Sequence, residues 1–309
     1  MRWPTRGPEL AIASPCQVKC LPSGPTSPYS WGELVKNLLR ALSVVFAAAI
    51  GFVLGGPAHA GPLDQIVVAH RGASNPTIGE GTMAAYQYAV RYGADWLDAD
   101  IRWTKDGSDA DTVGTMIVLH DSTLNRITNC SGYVTSWLWS SIYDKCRTDI
   151  GQQRLIRLVD LIKYGRSVGR PFSLEIKPST ITDAQASQLW NNIKTSRVRL
   201  LAMPNALPAL NKIKKRDAAD PNYRLTYSTV ITGSTGWPSP SWVKANGTQV
   251  DVHLSIPSSV MRSYQSANIP VFIFTGKTEA DYVKMTALRP YGVVVDDVAR
   301  FERWRDAQS

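Results

Sequence analysis

Short apolar runs alternate with amphipathic segments from residue 65 onward, and about 240 residues accommodate eight such units. Histidines and carboxylates follow several of the apolar runs. These observations predict an α/β chain folded as a (β/α)8 TIM barrel: parallel strands covered by helices, with chemistry gathered at the strands' carboxyl ends. The competing fold is an open doubly wound sheet. It would carry a Gly-rich phosphate loop after the first strand, and Gly-x-Gly-x-x-Gly is absent there.

Strands are expected near 65–70, 95–102, 172–177, 198–203, 224–231, 249–254, 270–275 and 291–296. Helical periodicity marks 82–92, 183–196, 205–216, 257–267 and 279–288, whereas 238–247 is the least regular stretch. One unit departs from the alternation. After the second strand the chain turns at Lys105-Asp106-Gly107 and returns through Met116-Ile117-Val118-Leu119 to His120, a small excursion that brings this histidine to the barrel mouth. No internal repeat is evident.

Residues 1–60 read as a leader. Lys36 and Arg40 precede an uncharged, mostly apolar run of 14 residues (41–54), and Ala58-His59-Ala60 is a small-x-small cleavage signature. A membrane anchor is the alternative, but the run falls short of the roughly 18 residues that a span requires. Export of a secreted protein beginning at Gly61 is the favoured reading, with residues 61–309 forming the barrel domain. The Pro- and Ser-rich segment 1–35 makes a long n-region and is consistent with an upstream start codon assigned in error.

Removing 60 of the 309 residues leaves 249, and Cys130 and Cys146 as the remaining cysteines. An even number bound for an oxidising compartment predicts a disulfide that closes a loop. Zn is disfavoured, since no Cys-x-x-Cys pair occurs. Lys and Arg then number 29 against 23 Asp and Glu, which suits anionic substrates. The basic cluster Lys212, Lys214, Lys215 and Arg216 falls late in a helical pattern, so a solvated helix end is preferred over a nucleic-acid patch.

The first strand ends in His70-Arg71-Gly72 and the excursion ends in His120-Asp121, each histidine beside a charged residue. Two histidines placed this way can divide the work of taking and giving a proton. His253 ends the sixth strand and suits either substrate contact or a structural hydrogen bond. Asp98 and Asp100 share one strand face, as do Glu175 and Lys177. Inward carboxylates are costly to bury unpaired. A divalent cation held by Asp98, Asp100 and Glu175 would relieve the cost, and hard oxygen ligands favour Ca2+ or Mg2+. Alternatively, Lys177 pairs with one acid and no metal binds. Glu80, in Gly79-Glu80-Gly81-Thr82, is a further supporting candidate or a simple helix cap.

These motifs resemble, in order, those of the glycerophosphodiester phosphodiesterases. The family's His-Arg-Gly is present as His70-Arg71-Gly72, its Pro-Glu-Asn-Thr as Gly79-Glu80-Gly81-Thr82, and its Glu-x-Asp as Asp98-Ala99-Asp100. Thr104-Lys105-Asp106-Gly107, His120 through Arg126, Glu175-Ile176-Lys177, Phe272-Ile273-Phe274-Thr275 and Val294-Val295-Asp296 continue the match. The resemblance implies His70 and His120 as general base and acid, Arg71 and Lys177 on the substrate phosphate, and a metal at Asp98, Asp100 and Glu175. Asp121 and Glu80 would support them. Asp98 replaces a Glu, Gly79 and Gly81 replace Pro and Asn, and Phe274 replaces a Trp of the glycerol pocket.

The resulting expectation is a secreted, metal-dependent hydrolase cleaving small-molecule glycerophosphodiesters to sn-glycerol 3-phosphate and an alcohol. Competing expectations are a phospholipase of the sphingomyelinase D or phosphatidylinositol type and a non-catalytic barrel binding polyol phosphates. Tyr133, Trp137, Leu138, Trp139 and Tyr143 keep a transient lipid or cell-wall contact in view. The loop 129–150 that bears them is expected at the mouth, where its aromatics either wall the alcohol side of the pocket or pack on each other and only stabilise the loop.

Overall fold

The computed structural model describes residues 64–73, 75, 77–105 and 113–308. The expected leader and the start at Gly61 lie outside the described residues. The strands are β1 (Ile66–Ala69), β2 (Trp96–Trp103), β3 (Met116–Val118), β4 (Phe172–Ile176), β5 (Val198–Ala202), β6 (Thr226–Ile231), β7 (Gln249–His253), β8 (Val271–Gly276) and β9 (Gly292–Val295). All but β3 pair in parallel, in the order β1-β2-β4-β5-β6-β7-β8-β9, and β9 returns to β1, so the sheet closes into a barrel. The eight expected strands agree with the observed ones to within two residues at each end.

The helices are α1 (Met83–Arg91), α2 (Trp139–Lys145), α3 (Leu158–Ser167), α4 (Asp183–Ile193), α5 (Leu207–Ala219), α6 (Pro240–Asn246), α7 (Ser258–Ser266), α8 (Glu279–Ala287) and α9 (Val298–Asp306). Helices α2, α3, α6 and α9 go beyond the five expected. The irregular stretch 238–247 holds α6, started by Ser239, whose hydroxyl accepts from Trp242 N–H, and by Pro240 in the first turn. Of the basic cluster, Lys212 and Arg216 pair with Asp183 of α4, which fits a solvated helix surface. Among the described residues no helix is long and apolar enough to cross a membrane.

Between β2 and α3 the chain makes the expected excursion, of whose expected turn Asp106 and Gly107 lie outside the described residues. Strand β3 runs antiparallel on β2, with Ile101 opposite Val118 and Trp103 opposite Met116. The excursion buries a small core of its own from Ile117, Leu119, Leu124, Val134, Ile142 and Leu155. Cys130 and Cys146 form the expected disulfide, with Cα atoms 5.5 Å apart.

Candidate active site

Strand β1 runs directly into a tight turn. Arg71 has φ 54° and Gly72 φ +88°, and a Cβ at Gly72 would stand 3.0 Å from the Tyr86 ring. Glycine is needed there for both reasons. The left-handed Arg71 costs on the order of 1 kcal/mol. It aims the Arg71 N–H at Asp98 Oδ2, 3.1 Å away. Tyr86 packs beneath the turn and donates to the Asp98 carbonyl at 2.9 Å, which ties α1 to β2.

His70, Arg71, Asp98, Asp100, His120, Glu175 and Lys177 all line one cavity of about 170 Å3. The seven come from β1, β2, β3 and β4 or the residues just past them, so the strand-end reading placed them together. The opposite wall is apolar, with Leu201, Met203, Val230, Phe274 and Val294. His70 Nδ1 lies 2.6 Å from Asp296 Oδ1, and His120 Nδ1 lies 2.6 Å from Asp121 Oδ1. In both rings a carboxylate engages Nδ1 and leaves Nε2 as the other nitrogen for proton exchange. His120 is also held through its backbone, because Leu119 N–H donates to Asp100 O at 3.0 Å and Arg102 Nε donates to His120 O at 2.9 Å. Burial holds the His120 imidazole below its ordinary value; Lys177 and Arg71 add to this and Asp100 opposes it. His253 does not line the cavity. It is exposed, bonded to Ser255 Oγ at 2.8 Å, and edge-on to Phe274.

The carboxylates and cations interleave. Asp100 has Arg71 Nε at 3.3 Å and Lys177 Nζ at 3.5 Å, and Lys177 Nζ donates to Glu175 Oε1 at 2.8 Å. Burial works against ionised Asp100, yet Lys177 and Arg71 together hold it below the ordinary carboxylate value. Asp98 is raised by burial. Glu175 is pushed up to about 7 by burial and by the Asp100 charge. Lys177 stays charged because Asp100 and Glu175 outweigh its own burial. Among the described residues no group of three metal-capable side chains is placed to hold an ion. The three expected metal ligands therefore share the cavity, with Lys177 taking the pairing role that the metal-free alternative gave it.

Glu80 is not the helix cap. Thr82 takes that position, its Oγ1 accepting from Ala85 N–H, while Glu80 receives Arg71 Nη1 at 3.2 Å. On its other side Glu80 receives Arg126 Nη2 at 2.6 Å, and Arg126 Nε donates to Asp121 Oδ2 at 2.6 Å. Burial opposes ionisation of Asp121, but bonds from Arg126 and His120 take its carboxyl down to about 2. Arg71, Glu80, Arg126 and Asp121 thus form a continuous chain of alternating charge that ends on the His120 ring. Sequence reasoning assigned no role to Arg126 or Asp296. Below them, Arg199 and Asp251 make a bidentate pair at 2.8 Å, sealed from solvent, and Asp251 forms part of the cavity floor.

The expected place of the disulfide loop is corrected. None of residues 129–150 lines this cavity. The loop instead buries Val134 and Ile142 into the small core of the excursion. There Trp139 and Tyr143 face a separate groove with Thr82, Met83 and Arg154. Arg154 stacks over the Tyr143 ring at 4.3 Å.

Comparison with known proteins agrees with this geometry. A glycerophosphodiester phosphodiesterase of Caldanaerobacter subterraneus is 38% identical over 80 residues, which cover 26% of this chain and 30% of the relative. One from Bacillus subtilis is 37% identical over 105 residues, covering 32% and 33%. The chain thus spans about a third of these relatives' lengths. Among solved structures, a putative glycerophosphoryl diester phosphodiesterase from Silicibacter pomeroyi superposes with TM-score 0.66 at 15% identity, covering 79% of this chain and 94% of the other. An Oleispira antarctica phosphodiesterase, solved with its product sn-glycerol-3-phosphate, gives TM-score 0.63 at 18% identity over 78% and 96%. The family model for the glycerophosphoryl diester phosphodiesterases matches residues 70–300, from the first cavity histidine to the last helix, and the chain belongs to that family.

Proposed function

We propose that this chain hydrolyses glycerophosphodiesters to sn-glycerol 3-phosphate and an alcohol. One observation carries the reading: two carboxylate-braced histidines and two cations, Arg71 and Lys177, line the same cavity. A phosphodiester is anionic throughout, so fixed cations are needed to hold its non-bridging oxygens. Cleavage forms one P–O bond and breaks another. One histidine Nε2 takes the proton from the attacking oxygen, and the other gives a proton to the departing alcohol oxygen. Asp296 and Asp121 stabilise whichever ring is charged and fix the tautomer in between.

Asp98, Asp100 and Glu175 would hold a divalent cation, Ca2+ or Mg2+. The fit rests on three carboxylates, hard oxygen donors that line one cavity, with burial and the Asp100 charge pushing Glu175 up to about 7. When bound, the ion supplies charge neutralisation at the phosphoryl oxygens. The Cys130–Cys146 bond supports a protein exported to an oxidising compartment. Exposed Tyr133, Leu138, Tyr143 and Ile150 favour a second reading, in which the same site works at a lipid surface.

The test is glycerol 3-phosphate release from soluble glycerophosphodiesters, with and without exhaustive chelation. Metal-dependent release is expected. Full activity after chelation would remove the cation, and release only from intact lipid in vesicles would favour the second reading.

A further inference from the structure

The catalytic cavity continues past its apolar wall. Met203, Val230 and Thr232 are shared with an adjoining groove of about 200 Å3, which Pro204, Asn205, Ser234 and Thr235 also line. These residues follow β5 and β6, so the groove opens at the same barrel end as the cavity. The turn after β6 is packed rather than loose. Gly233 has φ +83°, and a Cβ there would stand 2.5 Å from the Trp237 ring. Gly236 N–H closes the turn onto Gly233 O at 3.1 Å. Thr232 Oγ1 and Ser234 Oγ lie 2.8 Å apart on the groove side of this turn.

The chemistry of the two chambers differs. Ion-paired carboxylates and cations line the catalytic side. Among the described residues no charged side chain lines the groove; its polar groups are hydroxyls and one amide. A diester carries a substituent on each side of phosphorus, and the cavity of about 170 Å3 runs on into the groove through shared walls. The other substituent extends where the space extends, across Met203 and Thr232.

We propose that this groove is the subsite for the alcohol half of the diester, and that it selects a neutral, polyhydroxylated headgroup over a cationic one. The inference rests on the phosphodiesterase reading above. Hydroxyls leaving water regain partners on Thr232, Ser234, Thr235 and Asn205. A quaternary or primary ammonium leaving water meets neither a carboxylate nor an aromatic face there.

Rates of glycerol 3-phosphate release from glycerophosphoglycerol, glycerophosphoinositol, glycerophosphocholine and glycerophosphoethanolamine test this. The neutral esters should be preferred in kcat/KM by about tenfold. The double variant Asn205→Ala, Ser234→Ala should narrow that ratio at least several-fold, and Ser234→Asp should move it toward the choline ester. Equal kcat/KM across the four headgroups, or variants that lower all four alike, would overturn the proposal. Calorimetric titration reads the groove without turnover: inositol 1-phosphate should bind more tightly than phosphocholine, and Ser234→Asp should reduce the difference. Equal affinities would overturn the subsite. That preference with no glycerol 3-phosphate released from any ester would uphold the groove and sink the phosphodiesterase reading.

Discussion

The two histidines of the cavity are braced by unlike parts of the molecule. His70 ends a strand of the ring. Ala69 pairs with Val295 across β1 and β9, so the next residue on each strand, His70 and Asp296, is brought together by barrel closure across 226 positions of sequence. His120 lies two residues past β3, an antiparallel strand outside the parallel ring, and its carboxylate partner is the following residue. Its place is then secured by Arg126, which grips Asp121 and Glu80 together. The first brace is as stable as the fold; the second depends on the cohesion of one excursion. The proposed proton chemistry needs both, so the site is only as rigid as its weaker half.

The largest expected effect tests whether both halves work. His70→Asn and His120→Asn should each lower kcat by about 100-fold or more with unchanged circular dichroism. Near wild-type turnover in either variant would break the pairing. A smaller loss is expected at the braces. Asp296→Asn and Asp121→Asn should each reduce kcat by about 10- to 100-fold, because the ring loses its orienting acceptor. Asp121→Asn should in addition raise KM, since the Arg126 link to Glu80 and Arg71 is disturbed; a KM change in Asp296→Asn alone would reverse the contrast.

The excursion's own cohesion is tested through its disulfide. Replacing Cys130 and Cys146 by Ser should destabilise it by about 3 kcal/mol, read as a lower Tm, while kcat at low temperature changes little. An unchanged Tm would mean that the small core alone holds the excursion. The smallest effect concerns acid. Asp121 titrates near 2 in the folded chain against an ordinary 3.8. Below about pH 4 the unfolded chain therefore binds a proton that the folded chain refuses, and stability falls as pH drops toward 2. The stability gap between wild type and Arg126→Gln should shrink over that window. A gap that is constant from pH 5 to pH 2 would show that Arg126 does not act through Asp121.

The ring was legible because its strands are continuous apolar runs, such as Ile66-Val67-Val68, bounded by polar turns. Helix α3 also has a readable face in Leu158, Leu161, Ile162 and Gly165, but it follows the excursion rather than a strand and so escapes the alternation. Helices α2 and α6 have seven residues each, two turns, too short for periodicity to show. The cavity's seven principal residues were readable from strand ends and same-face spacing. Asp296 was not assignable to His70, because only closure of the barrel makes them neighbours. Trp139 misled for the opposite reason. It follows the His120 strand end in sequence, yet its helix buries Ile142 in the excursion's own core and Trp139 lines a different groove.

The attachment of β3 to the barrel has a consequence for how activity is lost on warming. Three residue pairs join it to β2, and although Met116 and Val118 pack into the main core, the excursion beyond them, from Leu119 to Leu155, buries a core of its own. Segments with few ties to the principal core open before the whole chain does. Opening of this one displaces His120 and leaves the eight-stranded ring standing. Heat inactivation should therefore set in while the barrel's circular dichroism is still intact, and it should reverse on cooling as long as the Cys130–Cys146 bond keeps the flap in register.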